Sequence, residues 1–141
     1  MTSTRFLLDT SALLAHYRKE PGGDRVQALF EESGAEVLAA SVSLPELARR
    51  LRELGAPVEE ARQTAGEYRE LLDEIVAVDE QVALRAFGIG CETPKRLPLV
   101  DALVAAAAHE RGACLVHRDQ HMAQIPAGVV EQLDLAAEPS A

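Results

Sequence analysis

No apolar run in this chain of 141 residues approaches the ~20 residues that a membrane-spanning helix needs. The longest, Ala102 to Ala108, is short and rich in alanine. The opening Met1-Thr2-Ser3-Thr4-Arg5 leads straight into Phe6-Leu7-Leu8-Asp9. It has neither the longer apolar stretch nor the small-residue cleavage site of a signal peptide, so a cytoplasmic protein is expected. The two cysteines, Cys91 and Cys114, form no CxxC and no metal spacing, which excludes a disulfide scaffold and leaves two reduced structural thiols. A phosphate loop of the GxxxxGK[ST] type is missing, and Ser11 lacks the GxSxG setting of a hydrolase elbow. Positive charge is also short. Lysine plus arginine number 14 against 23 for aspartate plus glutamate, a net charge of −9. Such a chain does not grip nucleic acid by global charge. An anionic substrate must be met by a local basic patch or through metal ions, and an acidic chain suits a basic partner segment.

What is present is an ordinary globular composition, 48% hydrophobic and 26% charged, with a length that implies one domain. Short apolar runs alternate with helical patterns. Strands are predicted at Phe6–Leu8, Val37–Ala40, Ile75–Val78 and Cys114–Val116, with a weaker fifth at Val129-Val130. Helices are predicted from Ala12 to Lys19, capped by Ser11; from Asp24 to Glu32; and from Leu44 to Leu54, capped by Ser43 with Pro45 in the first turn. The longest opens at Pro57, where Val58, Ala61, Ala65, Tyr68, Leu72 and Ile75 mark one helical stripe, a core face or a partner groove. Further helices are predicted from Asp79 to Phe87 and from Leu99 to Arg111, with a loop at Gly88, Gly90 and Pro94 and Gly112 as the closing residue. The tail, 136–141, is expected to fray. Short apolar strands separated by helices imply a parallel sheet of four or five strands covered on both faces, a three-layer α/β/α domain over residues 1–135.

In such a sheet every strand ends, and every following helix begins, on one edge, where ligands bind. Four acids fall there. Asp9 closes the first strand, Glu46 and Asp101 sit in first helical turns, and Asp119 follows the fourth strand. Each interrupts an apolar or neutral setting. Helix N-termini favour an acid by only ~0.3–1 kcal/mol. A like-charge pair at 4 Å costs ~4 kcal/mol at an effective dielectric of 20. The cluster therefore takes up protons or binds cations, and hard oxygen donors suit Mg²⁺ or Mn²⁺. Singly, each acid also has a structural use, as a cap or a dipole-stabilising residue. His117, Asp119 and His121 alternate in a pattern that suits a transition metal. His16 and His109 read as surface residues. Arg49, Arg50 and Arg52, Lys95-Arg96 and Arg118 are solvated cations or phosphate contacts.

These stretches resemble the PIN-domain ribonucleases. Leu7-Leu8-Asp9-Thr10-Ser11-Ala12-Leu13-Leu14-Ala15 is similar to the family's opening motif, and Ser41 to Leu51, with Glu46, to its second. Leu97-Pro98-Leu99-Val100-Asp101-Ala102-Leu103-Val104-Ala105-Ala106 is similar to the third, and Leu115-Val116-His117-Arg118-Asp119-Gln120-His121-Met122 to the fourth. The length also resembles that of VapC toxins of type II toxin–antitoxin systems. The resemblance implies a PIN-like fold and a metal-dependent endoribonuclease with Mg²⁺ or Mn²⁺ on Asp9, Glu46, Asp101 and Asp119. It implies that Thr10 or Ser11 helps order the metal's water, that a VapB-like antitoxin wraps and blocks the site, and that the chain forms a homodimer. The fourth motif departs from the family, which commonly has threonine at the position of His117 and an aromatic at that of Met122. Two other classes compete on the residues alone. One is a phosphatase or phosphotransfer domain using Asp9, although Ser11 replaces the second acid it wants and Lys19 and Lys95 are poorly placed. The other is a non-catalytic protein-binding module acting through the Val58–Ile75 face.

Overall fold

The structure is a computed structural model that describes residues 4–137. Most of the expected tail, 138–141, and the opening 1–3 lie outside the described residues. The chain folds as β1 (Arg5–Leu8), α1 (Thr10–Tyr17), α2 (Gly23–Glu31), β2 (Glu36–Ala40), α3 (Ser43–Glu53), α4 (Val58–Leu71), β3 (Glu74–Val76), α5 (Glu80–Glu92), α6 (Leu99–Glu110), β4 (Cys114–His117), α7 (Gln120–Ala123) and β5 (Gln132–Asp134). The five strands are all parallel, in the order β3-β2-β1-β4-β5. Among the described residues no helix is long and apolar enough to cross a membrane.

Side-chain alternation along the strands divides the core into two. Leu7, Leu38, Val76 and Leu115 point to the layer of α5, α6 and α7. Leu8, Val37, Ala39 and Val116 point to the layer of α1 to α4. Both faces of the sheet are covered, which is why its central strands read as continuous apolar runs.

The chain lays β2 and β3 on one side of β1 and β4 and β5 on the other. The order therefore reverses beside β1, and a crevice opens at the carboxyl ends of β1 and β4. The backbone binds this junction tightly, since Asp9 N–H donates to Val116 O at 3.0 Å.

Several boundaries differ from expectation. Helix α1 starts directly after β1, so Asp9, and not Ser11, is its N-cap. Ser43 lies inside α3, where its buried hydroxyl has no hydrogen-bond partner among the described residues. Helix α5 runs through Gly88 and Gly90. Burial of Ile89 against the core outweighs the ~1 kcal/mol that a helical glycine costs. The fifth strand is Gln132–Asp134 and not Val129-Val130. Leu115 N–H donates to Glu131 O there, at 2.8 Å, and Leu135 N–H to His117 O, at 2.7 Å. Val130 is buried in the preceding turn. Within the expected stripe, Ala61, Tyr68 and Leu72 are buried but Val58 is not.

Helices α1 and α2 meet at Gly23, where an added Cβ would stand 2.3 Å from Ala15 O. No flexible side chain can yield there, so the helix pair must part. Gly23→Ala should lower the unfolding free energy by about 1–3 kcal/mol or more, as overpacking does, measured by urea denaturation.

Candidate active site

Strand β1 delivers Asp9 to the crevice at its carboxyl end. The side chain is 4% exposed. Its Oδ1 accepts from Ala12 N–H at 2.9 Å, capping α1, and from the Ser11 hydroxyl at 2.6 Å. Ser11 Oγ in turn accepts from Arg118 N–H at 2.9 Å. One hydroxyl thus ties the first acid to the loop after β4. Helix α3 brings Glu46, in its first turn, and the Thr10 hydroxyl donates to Glu46 Oε1. Helix α6 brings Asp101, also in a first turn. Asp119 caps the short α7, accepting from His121 N–H at 2.8 Å.

All four acids, with Thr10 and Ser11, line one open pocket of about 560 Å³. Asp101, Asp119 and His121 each offer a ligand atom within 4.8 Å of the others. His121 Nδ1 lies 3.2 Å from Asp119 Oδ1. The other histidine of the segment, His117, is fully buried and turned away from the pocket wall. Its Nδ1 accepts from Asp119 N–H at 3.2 Å, which leaves Nε2 to donate to Gln132 Oε1 at 2.8 Å. Gln132 then donates to Ile125 O at 2.7 Å. This chain of bonds braces the backbone that carries Asp119.

The electrostatics match the crowding. Burial, with smaller contributions from Asp119 and Asp101, pushes the Asp9 carboxyl from its ordinary 3.8 up to about 7, against the opposing bonds from Ser11 and Ala12. Asp101 rises to about 6, first through burial and then through Asp119 and Glu46. Two cations border the same pocket, Arg50 and Arg118. Arg50 lies 3.7 Å from Glu53 and Arg118 3.5 Å from Glu20, both at the protein surface, where such pairs hold weakly. An array of this kind can hold a hard cation among oxygen donors and seat a phosphate between that cation and two guanidinium groups.

The other candidates fall elsewhere. Arg49 and Arg52 line a separate groove between α3 and α4, and Lys95 and Arg96 do not border the acid pocket. His16 is half-buried rather than a free surface residue, held 2.6 Å from both the Tyr68 hydroxyl and Gln27 Oε1. His109 is half-buried too. The brace formed by His117 and Gln132 was not foreseen. The two residues are 15 apart, and no sequence periodicity links them.

A family model described as the PIN domain matches residues 6–128. No curated protein matches the sequence. Among solved structures, the chain is similar to VapBC2 from Rickettsia felis bound to a DNA fragment from the promoter, with a TM-score of 0.72 at 16% identity over 92% of this chain and 98% of that one. It is similar to VapBC-5 from Mycobacterium tuberculosis, with a TM-score of 0.63 at 22% identity over 94% and 99%. It is also similar to VapC20 from Mycobacterium tuberculosis, described as a sarcin-ricin loop cleaving toxin, with a TM-score of 0.68 at 18% identity over 89% and 97%. At these identities the likeness is one of fold.

The raised Asp9 value has a thermodynamic consequence. Between the ordinary 3.8 and about 7 the folded state binds more protons than the unfolded one, so stability falls as pH rises through that window. Above pH 7 the full penalty is present, on the order of 4 kcal/mol for a shift of this size. Asn at position 9 keeps the cap but carries no charge. In chelator-treated protein Asp9→Asn should therefore raise the melting temperature at pH 8 and have little effect near pH 4. A melting temperature unchanged or lowered at pH 8 would refute the strained-carboxylate account.

Proposed function

The chain belongs to the PIN domain family, and from that premise we propose that residues 1–135 form one PIN-like domain that acts as a metal-dependent endoribonuclease, the toxin of a toxin–antitoxin pair. The observation that carries this reading is the meeting of Asp9, Glu46, Asp101 and Asp119, from four separate elements, in one pocket. The likeness to VapC20, a sarcin-ricin loop cleaving toxin, supports a loop as substrate. The likeness to VapBC complexes supports a VapB-like antitoxin as partner. A cytoplasmic site of action and a homodimer complete the proposal.

The donor set fits Mg²⁺ or Mn²⁺. It is dominated by carboxylates, as hard divalent cations require, and burial and mutual repulsion raise Asp9 and Asp101 in the cation's absence. Asp9 and Asp101 would be the central ligands, with Glu46 and Asp119 outside them. When bound, such an ion supplies Lewis-acid stabilisation of a phosphate and a water of lowered pKa.

The chain's own residues do the rest. Ser11 holds Asp9 in one rotamer and fixes the loop that carries Arg118. Thr10 holds one oxygen of Glu46, leaving the other to orient the attacking water and take its proton. Arg50 and Arg118 receive phosphate oxygens beside the scissile bond. Water adds to phosphorus, the phosphorus–oxygen bond to the leaving ribose breaks, and that oxygen takes a proton from solvent.

Purified protein should cut single-stranded or loop RNA with Mg²⁺ or Mn²⁺ and stop when the metal is chelated. Asp9→Asn and Asp101→Asn should each lose more than the ~10–100-fold that removal of an outer partner costs, with the circular dichroism spectrum retained. Wild-type cleavage by Asp9→Asn removes the proposal. Arg118→Ala should weaken RNA binding across sequences and reduce the salt dependence of affinity by about one phosphate contact.

A further inference from the structure

Two histidines flank Asp119, each two residues away, and the structure uses them differently. His117 spends both ring nitrogens inside the fold, on Asp119 N–H and on Gln132. His121 stands at the pocket's rim with its imidazole exposed. Among the described residues its ring has one polar partner, Asp119 Oδ1 at 3.2 Å. The backbone beneath that ring is nonetheless fixed. The N–H of His121 donates to the same Asp119 oxygen at 2.8 Å, and the next residue, Met122, is fully buried in the core. A firmly held turn therefore delivers the imidazole beside the acids, and the ring can rotate about its own side-chain bonds without disturbing the packing.

An ion pair between His121 and the cap of its own helix accounts for Asp119 but not for Asp101. That carboxylate comes from the first turn of α6, and it, Asp119 and His121 each offer a ligand atom within 4.8 Å of the others. Ligands about 2.1 Å from an octahedral ion stand ~3 Å apart when adjacent and ~4 Å apart when opposite. A modest rotation of the exposed ring closes the remaining difference. We propose that His121 is a direct nitrogen ligand on the Asp101–Asp119 side of the acid pocket, and that it makes the pocket prefer Mn²⁺ and the later first-row transition ions to Mg²⁺. The inference rests on the metal reading of that pocket and adds to it the residue that selects the ion. The selection follows from the donors. Mg²⁺ takes oxygen ligands and dehydrates reluctantly, whereas imidazole suits transition ions such as Zn²⁺ and Ni²⁺. Exchanging a bound water for an imidazole therefore favours the transition ions and offers Mg²⁺ little.

With Mn²⁺ alone bound, pulsed electron paramagnetic resonance of the purified full chain should show modulation from a directly coordinated nitrogen. Histidine-selective nitrogen-15 labelling should shift that signal, and His121→Gln should abolish it. In calorimetric titrations His121→Gln should weaken Mn²⁺ binding by more than the ~10-fold that loss of an outer partner costs, and Mg²⁺ binding far less. Its circular dichroism spectrum should not change, because the ring is exposed. Mn²⁺ bound to the wild type without nitrogen coupling would overturn the proposal and leave His121 as a countercharge to Asp119. Coupling that survives His121→Gln, or an equal loss of both ions in that variant, would overturn it too. Failure here is distinct from failure of the nuclease reading. Mn²⁺-dependent RNA cleavage without nitrogen coupling keeps the nuclease and removes the histidine ligand. Nitrogen-coupled Mn²⁺ in a protein that cuts no RNA does the reverse, and a protein that binds no Mn²⁺ removes both.

Discussion

Asp9 and Asp101 share a pocket with Glu46 and Asp119, and the elements that deliver them must resist their mutual repulsion. A parallel sheet is suited to this, since every strand presents its carboxyl end on one edge and the strands are anchored far from that edge. Leu7, Leu8, Leu115 and Val116 are fully buried, and each such side chain contributes roughly 1.5–3 kcal/mol on leaving water. Burial of two or three of them offsets the penalty of ionising Asp9. Covering both faces of β1 and β4 is thus what makes a costly carboxylate tolerable between them. The same cost is what a bound cation would relieve.

Hydrogen bonds decide where the acids point. Asp9 Oδ1 accepts from the N–H of Ala12 and the hydroxyl of Ser11, so its rotamer is set before anything binds. Glu46 is held by Thr10, and the backbone under Asp119 by the fully buried His117. Two of these supports, Thr10 and Ser11, come from the first turn of α1. That turn therefore organises three of the site's four walls, because Ser11 also binds Arg118 N–H. The surplus of negative charge makes the two bordering arginines matter more. With a net charge of −9, only local cations can welcome a phosphate. Arg50 and Arg118 have surface carboxylates as competitors that a substrate can displace at little cost.

Much of this was legible in the residues. The runs Phe6–Leu8, Val37–Ala40 and Cys114–Val116 are short, apolar and closed by polar residues, which identifies buried parallel strands and so places Asp9, Glu46 and Asp119 on one edge. Asp101 stood out because an acid interrupts an apolar stretch. What stayed hidden has physical causes. The N-cap fell to Asp9 because α1 follows β1 without a loop, and Ser11 serves equally well as a cap by composition. Strand β5 is a three-residue edge strand, half-buried throughout, so Gln132-Leu133-Asp134 carries no apolar run to announce it. The nearby Val129-Val130 does, but Val130 fills the core from a turn. The contact of His121 with Asp119, and its approach to Asp101, depend on how α7 turns after its cap, which a spacing of two residues does not decide.

The glycines of α5 show how one sequence feature can mislead about structure. Gly88 and Gly90 read as a loop because glycine is costly inside a helix. The helix continues through them because Val82, Ala86 and Ile89 hold it to the core on the other side. Nothing in the core requires Gly88 itself, since the space beside it is open.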